Sequence, residues 1–162
     1  MKIIKIIAAS AILVRAGGTF GHQSHAPTHA PVVKEQKDWG IAGDARAVQR
    51  TVRVTMSDKM RLTPNQFTVN VGDTVRLVIK NEGKLMPELV IGTPQELEAH
   101  AALMVKFPDM AHDEPDMARA PPGDSGQLIW TFNRPGEYQF ACLIAGHYQA
   151  GMTGRIVVAP KP

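Results

Sequence analysis

From residue 50 onward, apolar and polar side chains alternate with a period of two. Val52, Val54 and Met56 form one run, Phe67, Val69 and Val71 a second, and Val75, Leu77 and Ile79 a third. Leu89 and Ile91 repeat the pattern, then Leu128, Trp130 and Phe132, then Tyr138, Phe140 and Cys142, with Ile156 to Val158 closing it. In an extended chain every second side chain falls on one face, so each run predicts a strand with a buried side. Gly72-Asp73, Asn81-Glu82-Gly83 and Asn133 to Gly136 supply turns between them. About seven short strands punctuated in this way predict an all-β sandwich.

One segment breaks the alternation. Thr93-Pro94-Gln95-Glu96 combines a capping hydroxyl, a first-turn proline and a glutamate three residues after the cap. Leu97, Ala101 and Met104 then recur near helical spacing, which predicts one short helix. The stretch from Phe107 to Gly126 holds Pro108, Pro115, Pro121 and Pro122 and reads as a long loop.

The chain has 162 residues, 44% hydrophobic and 20% charged, with a formal charge of +3. That suits one domain with one core. Lysines and arginines are scattered, which argues against a nucleic-acid or membrane-surface patch. Lys2 and Lys5 followed by the apolar run Ile6 to Val14 resemble an export signal too short to span a bilayer, with Arg15 an unusual charge at its end. We expect a signal peptide over 1–26, cleaved near Gly21 or after Ala26, a flexible leader over 27–45 and the folded domain over 46–162. The leader is rich in His, Pro, Ala and Gln, and order is expected to begin between Trp39 and Arg50.

The sequence contains one cysteine, Cys142. A lone cysteine in an exported protein is a buried thiol, an intermolecular bridge or a metal ligand. Its surroundings favour the last reading. Cys142-Leu-Ile-Ala-Gly-His147-Tyr-Gln-Ala-Gly-Met152 places an imidazole and a thioether in the loop after the cysteine-bearing strand, and Gly146 and Gly151 permit sharp turns. Thiolate and thioether suit Cu(I), and imidazole serves both copper oxidation states. Zinc also takes Cys and His but is mostly found without Met. No grouping of acid, base and nucleophile is evident, so the expectation is a binding protein and not an enzyme.

This segment resembles the C-terminal ligand loop of cupredoxins, the plastocyanin and azurin superfamily. Further segments resemble the CopI-like periplasmic branch linked to copper resistance: Trp39-Gly-Ile-Ala-Gly-Asp44, Met56-Ser-Asp-Lys-Met60, Asn81-Glu-Gly-Lys84, Phe107-Pro-Asp-Met110 and His112-Asp-Glu-Pro115. The resemblance implies a Greek-key sandwich and a type 1 copper site. Cys142 would be the thiolate ligand, His147 an equatorial imidazole and Met152 the weak axial donor. It implies a periplasmic copper-binding protein in electron transfer or copper tolerance, monomeric, with a copper ion and a redox protein as partners. The alternatives are a Cu(I) carrier without redox role and a metal-free binding module.

One position departs from that family. Its first histidine ligand would fall just after the Asn-Glu-Gly turn, where this chain has Pro87. Proline offers neither a side-chain donor nor a backbone N–H. Met86 and Glu88 should point to the other face, since a shift of one residue reverses a strand's sides. Three outcomes follow: a three-ligand site that favours Cu(I), a site completed by water, Met86 or Glu88, or a scaffold without metal. Elsewhere, Met110, His112 and Met117 in the long loop form a candidate second copper site, with Met56 and Met60 as further thioethers. His22, His25 and His29 dot the leader, and cleavage after Ala26 would expose Pro27-Thr28-His29, an amino terminus able to wrap Cu(II). His100 is expected to lie exposed on the helix.

Overall fold

In the computed structural model, residues 34–110 and 112–161 are described. The expected signal peptide and His22, His25 and His29 lie outside them. The strands are β1 (Ile41–Ala42), β2 (Arg50–Ser57), β3 (Arg61–Thr63), β4 (Gln66–Asn70), β5 (Asp73–Asn81), β6 (Glu88–Gly92), β7 (Met117–Arg119), β8 (Ser125–Phe132), β9 (Gly136–Cys142) and β10 (Thr153–Ala159). Among the described residues, one α-helix, α1 (Pro94–Lys106), sits between β6 and β7, and one 3-10 turn spans Ala45–Ala47.

The strands form two five-stranded sheets, in the orders β1-β8-β5-β2-β3 and β4-β10-β9-β6-β7. The β2·β5 and β4·β10 pairs are parallel and the others antiparallel. The alternating residues meet between the sheets: Val54, Leu77 and Ile79 from one, Leu89, Ile91, Phe140 and Ile156 from the other, all fully buried. Each such side chain contributes about 1.5–3 kcal/mol by leaving water, and that burial holds the two sheets face to face.

The strands β6 and β9 are covered on both sides. Their inward residues join the core between the sheets, while Val90, Ala141 and Leu143 point outward into a second cluster with Leu97, Ala101 and Met104 of α1. The helix starts where the sequence predicts. Thr93 Oγ1 accepts from the Glu96 N–H, and the Glu96 carboxylate accepts from the Thr93 N–H. Replacing Thr93 with Ala should therefore cost about 1 kcal/mol, measured as a lower urea midpoint, because the Glu96 N–H loses its acceptor and the Glu96 carboxylate loses the hydroxyl bound to it. Among the described residues, no helix is long and apolar enough to cross a membrane.

Order begins at the early edge of the expected window, within the expected leader. Trp39 is buried and stacks on Trp130 at 6.5 Å, Trp130 Nε1 donates to the Trp39 carbonyl, and the Tyr138 hydroxyl donates to the Asp38 carbonyl. A large indole buried against another indole outweighs the polar composition around it, so the end of the leader is tied to the sandwich. The loop from Phe107 to Gly126 contains β7, which pairs with β6. Three residues are too few to show a period, so this edge strand leaves no signature in the sequence.

Candidate metal centre

The cysteine-bearing strand β9 lies between β6 and β10. Cys142 is directly opposite Leu89 on one side. On the other, the register Thr153↔Ala141 carried one residue further sets Met152 opposite it, and the Cys142 N–H donates to the Met152 carbonyl at 3.0 Å. Opposed residues of neighbouring strands share a face, with Cβ atoms about 4.5–5.5 Å apart. Cys142 and Met152 are both buried in the core between the sheets. The sulfur-bearing side chains thus share one side of one sheet.

The connection from Cys142 to Met152 is a tight coil that carries His147. The His147 N–H donates to the Ile144 carbonyl at 2.9 Å, the Ala150 N–H to Gly146 at 3.0 Å, and the Met152 N–H back to His147 at 3.0 Å. Gly146 and Gly151 take φ of 87° and 81°, a region that costs other L-residues energy. Coiled in this way, the loop brings His147 Nδ1 to 3.3 Å from Cys142 Sγ. An ion at ordinary bond lengths from both, about 2.3 Å to sulfur and about 2.0 Å to nitrogen, would span that gap. The imidazole is half-buried and the thiol fully buried.

Burial sets the protonation of these groups. It pushes the Cys142 thiol above its ordinary value, against the pull of backbone donors at Ile144 and Glu88. It pushes His147 down, with Asp58 opposing. A neutral imidazole offers a lone pair at neutral pH, and the thiol gives up its proton when a metal arrives. The residues present therefore fit a copper ion: a soft sulfur, a ring nitrogen and a buried thioether beside the sulfur.

Pro87 is buried and precedes β6 directly. Alternation carried back one step from Leu89 places it on the face of Cys142. The approach to it is pinned: buried Asn81 donates to the Leu85 and Ala120 carbonyls at 2.7 and 2.9 Å, and Asp58 accepts from the Lys84 N–H at 3.0 Å. The neighbours of Pro87 are turned away. Met86 is exposed, and the Glu88 carboxylate pairs with Arg119 on the outer side of the sheet.

The other candidate residues fall differently. Met117 is buried in the apolar cluster beneath α1, and Met110 is largely exposed and meets His112 through its carbonyl. His112 instead gathers with Glu88 and His100, whose potential ligand atoms all lie within 4.8 Å of one another. His100, expected to be exposed, is partly covered by that contact. Sequence reasoning missed the grouping because its members come from a strand, a helix and a loop, and no local spacing links them.

Comparison with known proteins gives the family. Residues 48–159 match the family model for copper binding proteins of the plastocyanin/azurin family. The chain is 46% identical over 140 residues to the copper-resistant cuproprotein CopI of Rubrivivax gelatinosus, covering 85% of this chain and 84% of that one. It is 31% identical over 180 residues to the protein of that name from Pseudomonas aeruginosa, covering 93% and 96%. Among solved structures, auracyanin B superposes with a TM-score of 0.62 at 21% identity over 75% of this chain and 96% of its own. The reduced auracyanin of Roseiflexus castenholzii gives 0.59 at 23% identity, over 70% and 99%. Fold, family model and relatives converge: the chain belongs to the plastocyanin/azurin family of copper-binding cupredoxins, with the CopI copper-resistance proteins among its relatives.

Proposed function

We propose that this protein is exported to the periplasm and there binds copper for copper tolerance, through a modified type 1 site made of Cys142, His147 and Met152. The observation that carries this reading is the 3.3 Å approach of Cys142 Sγ and His147 Nδ1 with Met152 paired beside the cysteine. The relatives named as copper-resistant cuproproteins support the tolerance role. Export rests on the apolar run after Lys2 and Lys5.

Copper supplies a reversible one-electron change when bound, and this chain's residues determine which oxidation state is held. Pro87 stands where the family's other imidazole is expected and provides no donor. Two sulfurs and one nitrogen make a soft set of low coordination number, which favours Cu(I) over Cu(II). The core around Cys142 and Met152 excludes water, and the pinned loop limits rearrangement. Half-buried His147 sits at the rim, the natural exit for an electron, so a redox role at the same site is the second reading.

Chelator competition with one equivalent of metal tests the preference. Cu(I) should be retained against a chelator that strips Cu(II), and disruption of the gene should make cells sensitive to copper. Tighter retention of Cu(II) than of Cu(I) at the Cys142 site, or unchanged copper tolerance, would contradict this reading.

A further inference from the structure

Glu88 is buried although its side chain points away from the core between the sheets. It lies on the outer face of β6 beside α1 and the segment that follows the helix, and its side chain is 5% exposed. A carboxylate under cover needs partners for both oxygens. Oε2 has them, since Arg119 Nη2 and Nε donate to it at 2.7 and 3.0 Å. Oε1 receives no hydrogen bond. It faces two imidazoles instead, 3.1 Å from His112 Nε2 and 4.0 Å from His100 Nε2, with the ring nitrogens 3.0 Å apart.

The tautomer sharpens the point. His112 Nδ1 lies 3.1 Å from the Met110 carbonyl oxygen, which can only accept. The ring proton of a neutral His112 is therefore assigned to Nδ1, which makes Nε2 an acceptor for the proton on His100 Nε2, 3.0 Å away. His112 Nε2 and Glu88 Oε1, neither carrying a proton, face each other at 3.1 Å, an arrangement that a cation taking the place of the His100 proton would stabilise. A carbonyl holding the far nitrogen of an imidazole is also the usual support behind a metal-bound histidine.

The geometry points to a second metal site, formed by Glu88 Oε1, His100 Nε2 and His112 Nε2, that takes a divalent transition ion, Cu(II) above others. A triangle with sides of 3.0, 3.1 and 4.0 Å has a circumscribed radius of about 2.0 Å, the bond length of such ions to nitrogen and oxygen. Seen from its centre, the three atoms subtend angles of about 95°, about 100° and about 165°. They occupy three corners of a square, the preference of Cu(II), and leave the fourth corner open. Zinc prefers a tetrahedron. Burial, followed by the adjacent His112, lowers the proton affinity of His100, which leaves its ring neutral and able to ligate.

This site lies on the opposite face of the sheet from Cys142, and one backbone hydrogen bond joins the two strands there, Leu143 N–H to the Glu88 carbonyl at 3.0 Å. A cleft of about 370 Å³ reaches Glu88 and Arg119 past Met86, Met104 and Met110. Its thioethers make the approach hospitable to copper. Donor chemistry separates the sites, one soft and sulfur-rich, the other nitrogen and oxygen.

The test uses the full chain carrying Cys142→Ser and, to remove the leader's own Cu(II) donors, His22→Gln, His25→Gln and His29→Gln, titrated with Cu(II) alone and followed by equilibrium dialysis and electron paramagnetic resonance. One equivalent should bind with the wide copper hyperfine splitting of nitrogen and oxygen ligands. His100→Gln and His112→Gln should each weaken that equivalent about 10–100-fold, with thermal melting of the metal-free variants close to the parent's. An equal concentration of zinc should leave Cu(II) in place. Unchanged stoichiometry and spectrum in both histidine variants would overturn the site, showing a buried ion pair only, and displacement by zinc would overturn the copper preference.

Discussion

Pro87→His is expected to bind copper at least about 10–100-fold more tightly than the parent chain and to acquire an intense visible band with Cu(II). Residue 87 precedes β6 on the face that Leu89 shares with Cys142, and the turn before it is held by Asn81 and Asp58. A donor placed there joins a thiolate and an imidazole already brought to 3.3 Å. It would complete the two-histidine, one-cysteine set with a long methionine bond that characterises blue-copper sites. The gain should be larger for Cu(II), which demands more ligands, than for Cu(I). Isothermal titration with each oxidation state, read beside the absorption spectrum, measures both. Equal affinities in parent and variant would mean that position 87 does not face the metal.

Phe140→Ala is expected to lower stability by about 3–5 kcal/mol, a fifth or more of what a domain usually has. Phe140 is fully buried in the middle of the sheet that carries the ligands, two residues before Cys142. Its ring packs against Phe67 with centroids 5.4 Å apart. It also covers Gly154, directly opposite on β10, where an added Cβ would come within 2.2 Å of the ring. Because the space is shaped on both sides by the sheets, it has little freedom to collapse, and the cavity term should be felt in full. The urea midpoint should fall with an unchanged slope. A loss below about 1 kcal/mol would show that the core repacks freely.

The fold was legible wherever a strand was long enough to show a period. Val75, Leu77 and Ile79, or Tyr138, Phe140 and Cys142, alternate because one side of each strand faces the other sheet. The helix was legible from Thr93 and Glu96, whose reciprocal bonds are local. Short edge strands such as β7 were not, since their pairing partner supplies the order. The start of order could be bracketed only between Trp39 and Arg50, because Trp39 finds its partner Trp130 across 91 residues. The same division holds for the metal sites. Cys142, His147 and Met152 lie on one loop, so spacing alone suggests them. Glu88, His100 and His112 become neighbours only when α1 folds back over β6, and nothing in the chain's local pattern announces it.

The central claim is that Cys142, His147 and Met152 grip one soft ion. X-ray absorption at the copper edge, on the full chain loaded with a single equivalent of Cu(I), tests it most directly. The expected inner shell holds sulfur near ~2.3 Å together with nitrogen near ~2.0 Å, and Cys142→Ser should remove the short sulfur. A shell of nitrogen and oxygen alone, or one indifferent to that substitution, would contradict it.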